Sequence, residues 1–298
     1  MRTSILALCD ESAWGDWHPL EGCWRGTILP SCPGLYRIRL VHAGQVKPAY
    51  IGQSGNLKER LAAMKNVFKD SMPYRAPHTA APALWAWRHV LPTSIYEVSV
   101  ALFPMVPNVL RLGLECLAIA LSRSHWGMSP LANFGRMPLG WSPSSGNDAG
   151  LVARGKRFRG SPTIELLECH RPGIAPMGSL TGHPHAREWC GQTWTPWVSI
   201  HTLRPAGSEV GLYRLRMPDC DPLLLIGSGK LADRVQGYRH YNHLECSWVT
   251  GSWYAHQRLE LITDQIAAHL LSTMVLPLWQ FEPFHNEPEG ETQYRKAS

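Results

Sequence analysis

The sequence predicts an α/β (α+β) fold made twice over: two small three-stranded antiparallel sheets flanked by helices, related as an internal pseudo-dimer. Three observations predict it. The block Gly34-Leu35-Tyr36-Arg37-Ile38-Arg39 returns as Gly211-Leu212-Tyr213-Arg214-Leu215-Arg216, and internal repeats decide architecture before any single element does. Each copy then runs through the same succession of hairpin, short helix, strand and long apolar helix. Each is preceded by a tryptophan-rich lead, Trp14, Trp17 and Trp24 before one and Trp189, Trp194 and Trp197 before the other.

In copy one, an alternating apolar run over 34–41 and a second run ending at Gly52 read as a β-hairpin, and copy two repeats this at 211–217 and Leu223 to Gly227. A short helix follows, Asn56 to Leu61 or Lys230 to Val235. A third strand comes next, Tyr96 to Ala101 against Leu244 to Val249. The long helix over 108–124 places Leu110, Leu114, Leu117 and Leu121 on one face, and its counterpart covers 253–271. Copy one carries an insertion around Pro73 to Pro92. The domains are expected at 1–137 and 196–298. The 138–195 stretch between them is rich in Gly, Pro and Ser and reads as a basic linker.

Apolar residues make up 44% of the 298 and charged residues 17%, which suits about two globular domains and excludes a disordered tail. The net charge of +6 fits an acidic polymer as partner, though the excess is diffuse. No apolar run is long enough to span a membrane. The first ten residues have too short an apolar core for a signal peptide. The eight cysteines show no CxxC pair and read as reduced thiols. A cytoplasmic protein is the expectation.

The first hexapeptide is followed by Tyr50-Ile51-Gly52, by Arg60 in an amphipathic stretch, by Glu115 inside an apolar helical run and by Asn133 after a proline. In that order these elements resemble the GIY-YIG nuclease family. The resemblance implies a Mg²⁺-dependent (or Mn²⁺-dependent) DNA endonuclease. Phosphodiester hydrolysis needs a water, a base to deprotonate it and neutralisation of charge on the phosphoryl group. By resemblance Tyr36 would be the base, Tyr50 would position the water or the scissile phosphate, and Arg60 would meet the developing charge. Glu115 would hold the metal ion and Asn133 would fix the arrangement. Taken singly, the tyrosines read as amphipathic sheet residues and Asn133 as a turn residue. Glu115 is harder to explain that way, because a buried carboxylate needs a metal or a cation, and Arg111 one turn back could serve.

Copy one departs from the family at Gln53, where many members have Lys, and at Met64, where many have His or Tyr. His78, Lys58 or His89 could take over the missing role, and His78 is equally an ordinary loop histidine. Copy two has Leu225 where Tyr50 should be and Trp279 or Gln280 in place of Asn133. It keeps Tyr213, Arg234 and Glu260, adds Tyr238 one turn beyond Arg234 and places His256 before Glu260. It is either a crippled half kept for DNA gripping or scaffolding, or a second working site. Lys58 and the cluster Arg154, Lys156, Arg157 and Arg159 are DNA-contact candidates, the cluster being a phosphate-tracking arm or a solvated loop. Cys169, His170, His183, His185 and Cys190 give a weak zinc signal, without paired spacing. The expected partner is double-stranded DNA, with a homodimer for double-strand cleavage and restriction or anti-phage defence as the role. A DNA-binding protein that lost turnover is the rival reading. A structural or protein-interaction role, suggested by the tryptophan leads, is the third.

Overall fold

The computed structural model describes residues 2–25, 29–73, 78–142, 161–205 and 207–279. The chain forms two compact units, Met1–Pro176 and Met177–Ser298. It is a mixed α/β protein with several small antiparallel sheets. No helix among the described residues is long and apolar enough to cross a membrane.

In the first unit, α1 (Arg2–Cys9) and β1 (His18–Pro19) precede the hairpin of β2 (Gly34–His42) and β3 (Gln45–Ser54). The hairpin turns at Ala43 and Gly44, both with positive φ, the conformation that matches strand twist in a two-residue loop. The chain continues through α2 (Leu57–Ala62), a 3₁₀ segment (Ala63–Phe68), α3 (Ala81–Val90), β4 (Ile95–Leu102) and α4 (Asn108–Trp126). Sheet order is β1-β4-β2-β3. Along β2 the residues alternate. Tyr36, Ile38 and Leu40 enter a core with Leu57, Leu61, Met64 and Leu84, while Arg37 and Arg39 project to the other side. A bulge leaves Ala49 unpaired between Tyr50 and Pro48, where a proline costs no ladder hydrogen bond. The short β5 (Trp141–Ser142) and β6 (Ser161–Pro162) pair with each other. Arg154, Lys156, Arg157 and Arg159 lie outside the described residues.

The second unit opens with β7 (Glu188–Trp189), β8 (Gln192–Thr193) and β9 (Val198–Ser199). Then come β10 (Val210–Arg216), β11 (Leu225–Lys230), a helix, α5, at Leu231–Gln236, β12 (Glu245–Thr250), a long helix, α6, at Ala255–Thr273, and β13 (Leu278–Trp279). Sheet order is β13-β11-β10-β12-β9. The expectation of three strands per sheet is thus corrected to four and five. The extra strands are two-residue edge pieces that carry no periodicity. The 138–195 stretch is divided at Pro176/Met177, and its short paired strands belong to one unit or the other.

Each unit repeats the other's local hydrogen bonding. Leu20 N–H donates to Tyr96 O and Ile200 N–H to Leu244 O, at 2.8 and 3.0 Å. Ser99 Oγ donates to Gly15 O, as Ser247 Oγ does to Thr195 O. The tryptophan leads have a specific use here. Arg37 lies over Trp14 and Trp17, and Arg39 over Trp17 while pairing with Glu97 at 2.6 Å. Arg214 lies over Trp194 and Trp197, and Arg216 over Trp197 while pairing with Glu245 at 2.7 Å. The two arginines of the hexapeptide therefore clamp the lead onto the sheet, each stack contributing on the order of 0.5–2 kcal/mol.

The motif glycines have steric reasons. A Cβ at Gly34 or Gly211 would collide with the backbone carbonyl of Ala101 or Val249. At Gly52 it would stand 2.6 Å from the Tyr36 hydroxyl, and at Gly227 2.6 Å from that of Tyr213. Each tyrosine lies across the glycine paired opposite it. Gly52→Ala and Gly227→Ala should each cost about 1–3 kcal/mol through overpacking, measured by urea denaturation. Equal stability to wild type in either variant would show that the tyrosine moves aside freely.

Candidate functional site

Five separate segments of the first unit bring side chains together. Tyr36 comes from β2, Tyr50 from β3, Arg60 from α2, His78 from the insertion and Glu115 from α4. Asn56 caps α2, accepting the Glu59 N–H, and so fixes where the helix that carries Arg60 begins. The rings of Tyr36 and Tyr50 are 5.9 Å apart, and that of His78 is 6.0 and 5.4 Å from them. His78 Nε2 is 2.6 Å from the Tyr36 hydroxyl. Arg60 also hydrogen-bonds Tyr36, and Tyr50 hydrogen-bonds Tyr36 and Thr79.

The electrostatics follow from burial. Tyr36 and His78 are fully enclosed. Burial lifts the Tyr36 phenol well above its ordinary value, helped by Tyr50 and opposed by Arg60. Burial likewise pushes Tyr50 up to about 12, and burial with the Arg60 charge holds His78 well below the usual histidine range. Glu115 keeps part of its surface open. Desolvation raises its carboxyl to about 7, against the pull of Arg60, the Gln53 backbone and Arg111.

Asn133 acts through the backbone. Its Oδ1 accepts the Ile51 N–H and its Nδ2 donates to the Ile51 carbonyl, both at 2.9 Å. Leu131 and Ala132 N–H donate to the Pro48 and Ala49 carbonyls. The asparagine therefore imitates a paired strand along the outer edge of β3 and fixes the residue next to Tyr50. In the second unit, the backbone of β13 fills this edge, with Trp279 paired to Ile226. Gln280 lies outside the described residues.

The structure reassigns several residues. Arg111 serves Glu115 only as the weakest of its cationic influences, because its guanidinium donates to Gln53 Oε1, Val106 O and Asn108 Oδ1. Gln53 is thus the joint between β3 and α4. Met64 is core. His89 stacks on Trp85 at 3.5 Å and hydrogen-bonds its carbonyl, so it belongs to α3 packing. Lys58, two residues before Arg60, faces another side of the helix. Thr79 was not foreseen. Its signal was adjacency to His78.

In the second unit, the Tyr213 ring is 6.5 Å from that of Tyr238, and the Arg234 charge acts on Tyr213. Leu225 sits in the apolar core where the first unit has Tyr50. Glu260 is 0% exposed, and His256 stacks on Tyr254.

For a metal, no three His, Cys, Asp or Glu side chains converge among the described residues. Among the described residues of the cluster, Glu115 is the carboxylate that would hold an ion. That donor set fits Mg²⁺, which keeps several waters and leans on substrate phosphate. The zinc reading finds no support. Both ring nitrogens of His170 are bonded, to Leu167 N–H and Trp141 O. His183 pairs with Asp221, and His185 Nδ1 receives Arg216. Burial pushes the Cys190 thiol up, away from the thiolate a metal needs.

No protein-family model, curated protein or solved structure matches this chain.

Proposed function

We propose that the protein is a Mg²⁺-dependent DNA endonuclease whose working centre is the Tyr36, Tyr50, Arg60 and Glu115 cluster. The observation that carries this reading is the convergence of these four, with Asn133 bracketing the strand beneath Tyr50, from segments far apart in sequence. A bound Mg²⁺ supplies charge neutralisation on the scissile phosphate and a lowered pKa for its water. Glu115 holds that ion as a carboxylate. Arg60 presents a planar fork of donors to the phosphoryl oxygens. The Tyr36 oxygen takes the proton from the attacking water only after its phenol has given up its own proton to solvent, a loss that burial opposes and that the nearby Arg60 and a bound cation would favour. Tyr50 holds the water or phosphate beside it. Double-stranded DNA is the proposed substrate, with two chains meeting for a double-strand cut. Restriction or anti-phage defence in the cytoplasm is the proposed setting. The two units are proposed as an internal pseudo-dimer of one ancestral domain, on the strength of their repeated hydrogen bonds.

A second reading, a DNA-binding protein without turnover, is favoured by the complete enclosure of Tyr36. Plasmid cleavage with and without Mg²⁺ separates the two. Tyr36→Phe should cost on the order of 10²-fold or more in rate, as for a lost proton-transfer group. Unchanged cleavage in that variant would remove Tyr36 from the chemistry. Binding without any cleavage in wild type would leave the second reading standing.

A further inference from the structure

We propose that His78 is a positioning residue for Tyr36, a hydrogen-bond donor held in one tautomer, and not a proton shuttle. The proposal rests on the nuclease reading only for what Tyr36 does. His78 Nδ1 accepts the Ala80 backbone N–H at 3.1 Å. A ring nitrogen that accepts a hydrogen bond carries no proton, and a neutral imidazole has one proton to place. The enclosed position beside Arg60 keeps the ring neutral. The proton is therefore on Nε2, 2.6 Å from the Tyr36 oxygen, and His78 donates there.

The consequence concerns Tyr36. Its oxygen receives His78 and Arg60 together, while its own hydrogen is free to turn toward Tyr50. Once that hydrogen is lost to solvent, both donors remain, and donors to the charged form favour it. His78 has no lone pair to spare for a proton from water, since Nδ1 is committed to Ala80. Its ring is held by the backbone N–H of Ala80, the residue just before α3. The insertion in copy one thus delivers a donor to the hydroxyl. Copy two, which lacks the insertion, places Tyr238 beside its tyrosine instead.

Two substitutions separate donor from shuttle. In His78→Gln the amide nitrogen reaches the place of Nε2, donates to Tyr36 and cannot titrate. In His78→Asn the amide reaches only the place of Nδ1 and leaves Tyr36 without that donor. Mg²⁺-dependent plasmid cleavage should stay within about 10-fold of wild type for Gln and fall about 10²-fold for Asn, the usual loss for one charge-stabilising donor. Ring ¹⁵N NMR of the wild-type protein, with the His78 signal identified by its loss in His78→Gln, should show Nε2 protonated and Nδ1 bare at neutral pH. A folded Gln variant as inactive as Asn, or an Nδ1-protonated ring, would overturn the proposal. If wild type cleaves no DNA, the nuclease reading fails, and the NMR tautomer still decides the hydrogen bond.

Discussion

Glu115→Gln should abolish Mg²⁺-dependent cleavage and at the same time stabilise the metal-free protein above pH 7. The loss follows from removing the carboxylate that the described residues bring to the cluster, and should reach at least about 10²-fold. The gain follows from linkage. In the folded state the Glu115 carboxyl is raised from 4.5 to about 7, so folded protein holds a proton that the unfolded chain has released. That contribution is fully present below about pH 4.5 and disappears as pH rises through about 7. Above pH 7 the wild type carries a desolvated negative charge that Gln does not. At roughly 1.4 kcal/mol per pKa unit, the variant should gain on the order of 1–3 kcal/mol at pH 8 and almost nothing at pH 4.5. Urea unfolding at the two pH values measures this, with DNA binding checked alongside. Mg²⁺ should narrow the gap at pH 8, because the ion takes over the charge. Wild-type and Gln proteins of equal stability at pH 8 would mean that the carboxyl is better solvated than its setting implies.

Much of this was legible because the repeat is written in residues whose jobs are local. A hairpin and a Leu-faced helix announce themselves by spacing, and β2, β4 and α4 begin and end close to their expected bounds, as β3 ends close to its own. The Tyr36, Arg60 and Glu115 grouping was legible through the resemblance. Three things were not. The Arg37 and Arg39 stacks on Trp14 and Trp17 depend on backbone placement far from either partner in sequence. The bracket of Asn133 on Ile51 uses main-chain groups, which no side-chain pattern encodes. The diversion of Arg111 to Gln53 shows why an i, i+4 charge pair is a weak forecast. A guanidinium goes where most oriented acceptors await it, and three stood elsewhere.

A single chain should have one working centre, so supercoiled plasmid should appear as nicked circles before linear DNA. The two halves share their tyrosine, arginine and glutamate, but not the surroundings that would let those residues act. Leu225 buries an aliphatic side chain where Tyr50 stands in the first unit. Glu260 is wholly enclosed, whereas Glu115 keeps an open side, and Mg²⁺ gives up its waters reluctantly. Arg60→Ala should therefore eliminate nicking, costing on the order of 10²-fold or more. Arg234→Ala and Tyr238→Phe should leave the nicking rate within about 3-fold of wild type, a barrier change of roughly 0.7 kcal/mol, since both act on Tyr213 of the second unit and not on the first unit's cluster. Linear product should rise with enzyme concentration, because the second strand needs a second chain. The measurement is a time course at several enzyme-to-plasmid ratios, with circular dichroism to confirm folding of each variant. Linear DNA formed without a nicked intermediate at sub-stoichiometric enzyme would show that both units cut. So would loss of all cleavage in a well-folded Arg234→Ala protein that still binds DNA, and the enclosure of Glu260 would then have to open when DNA arrives.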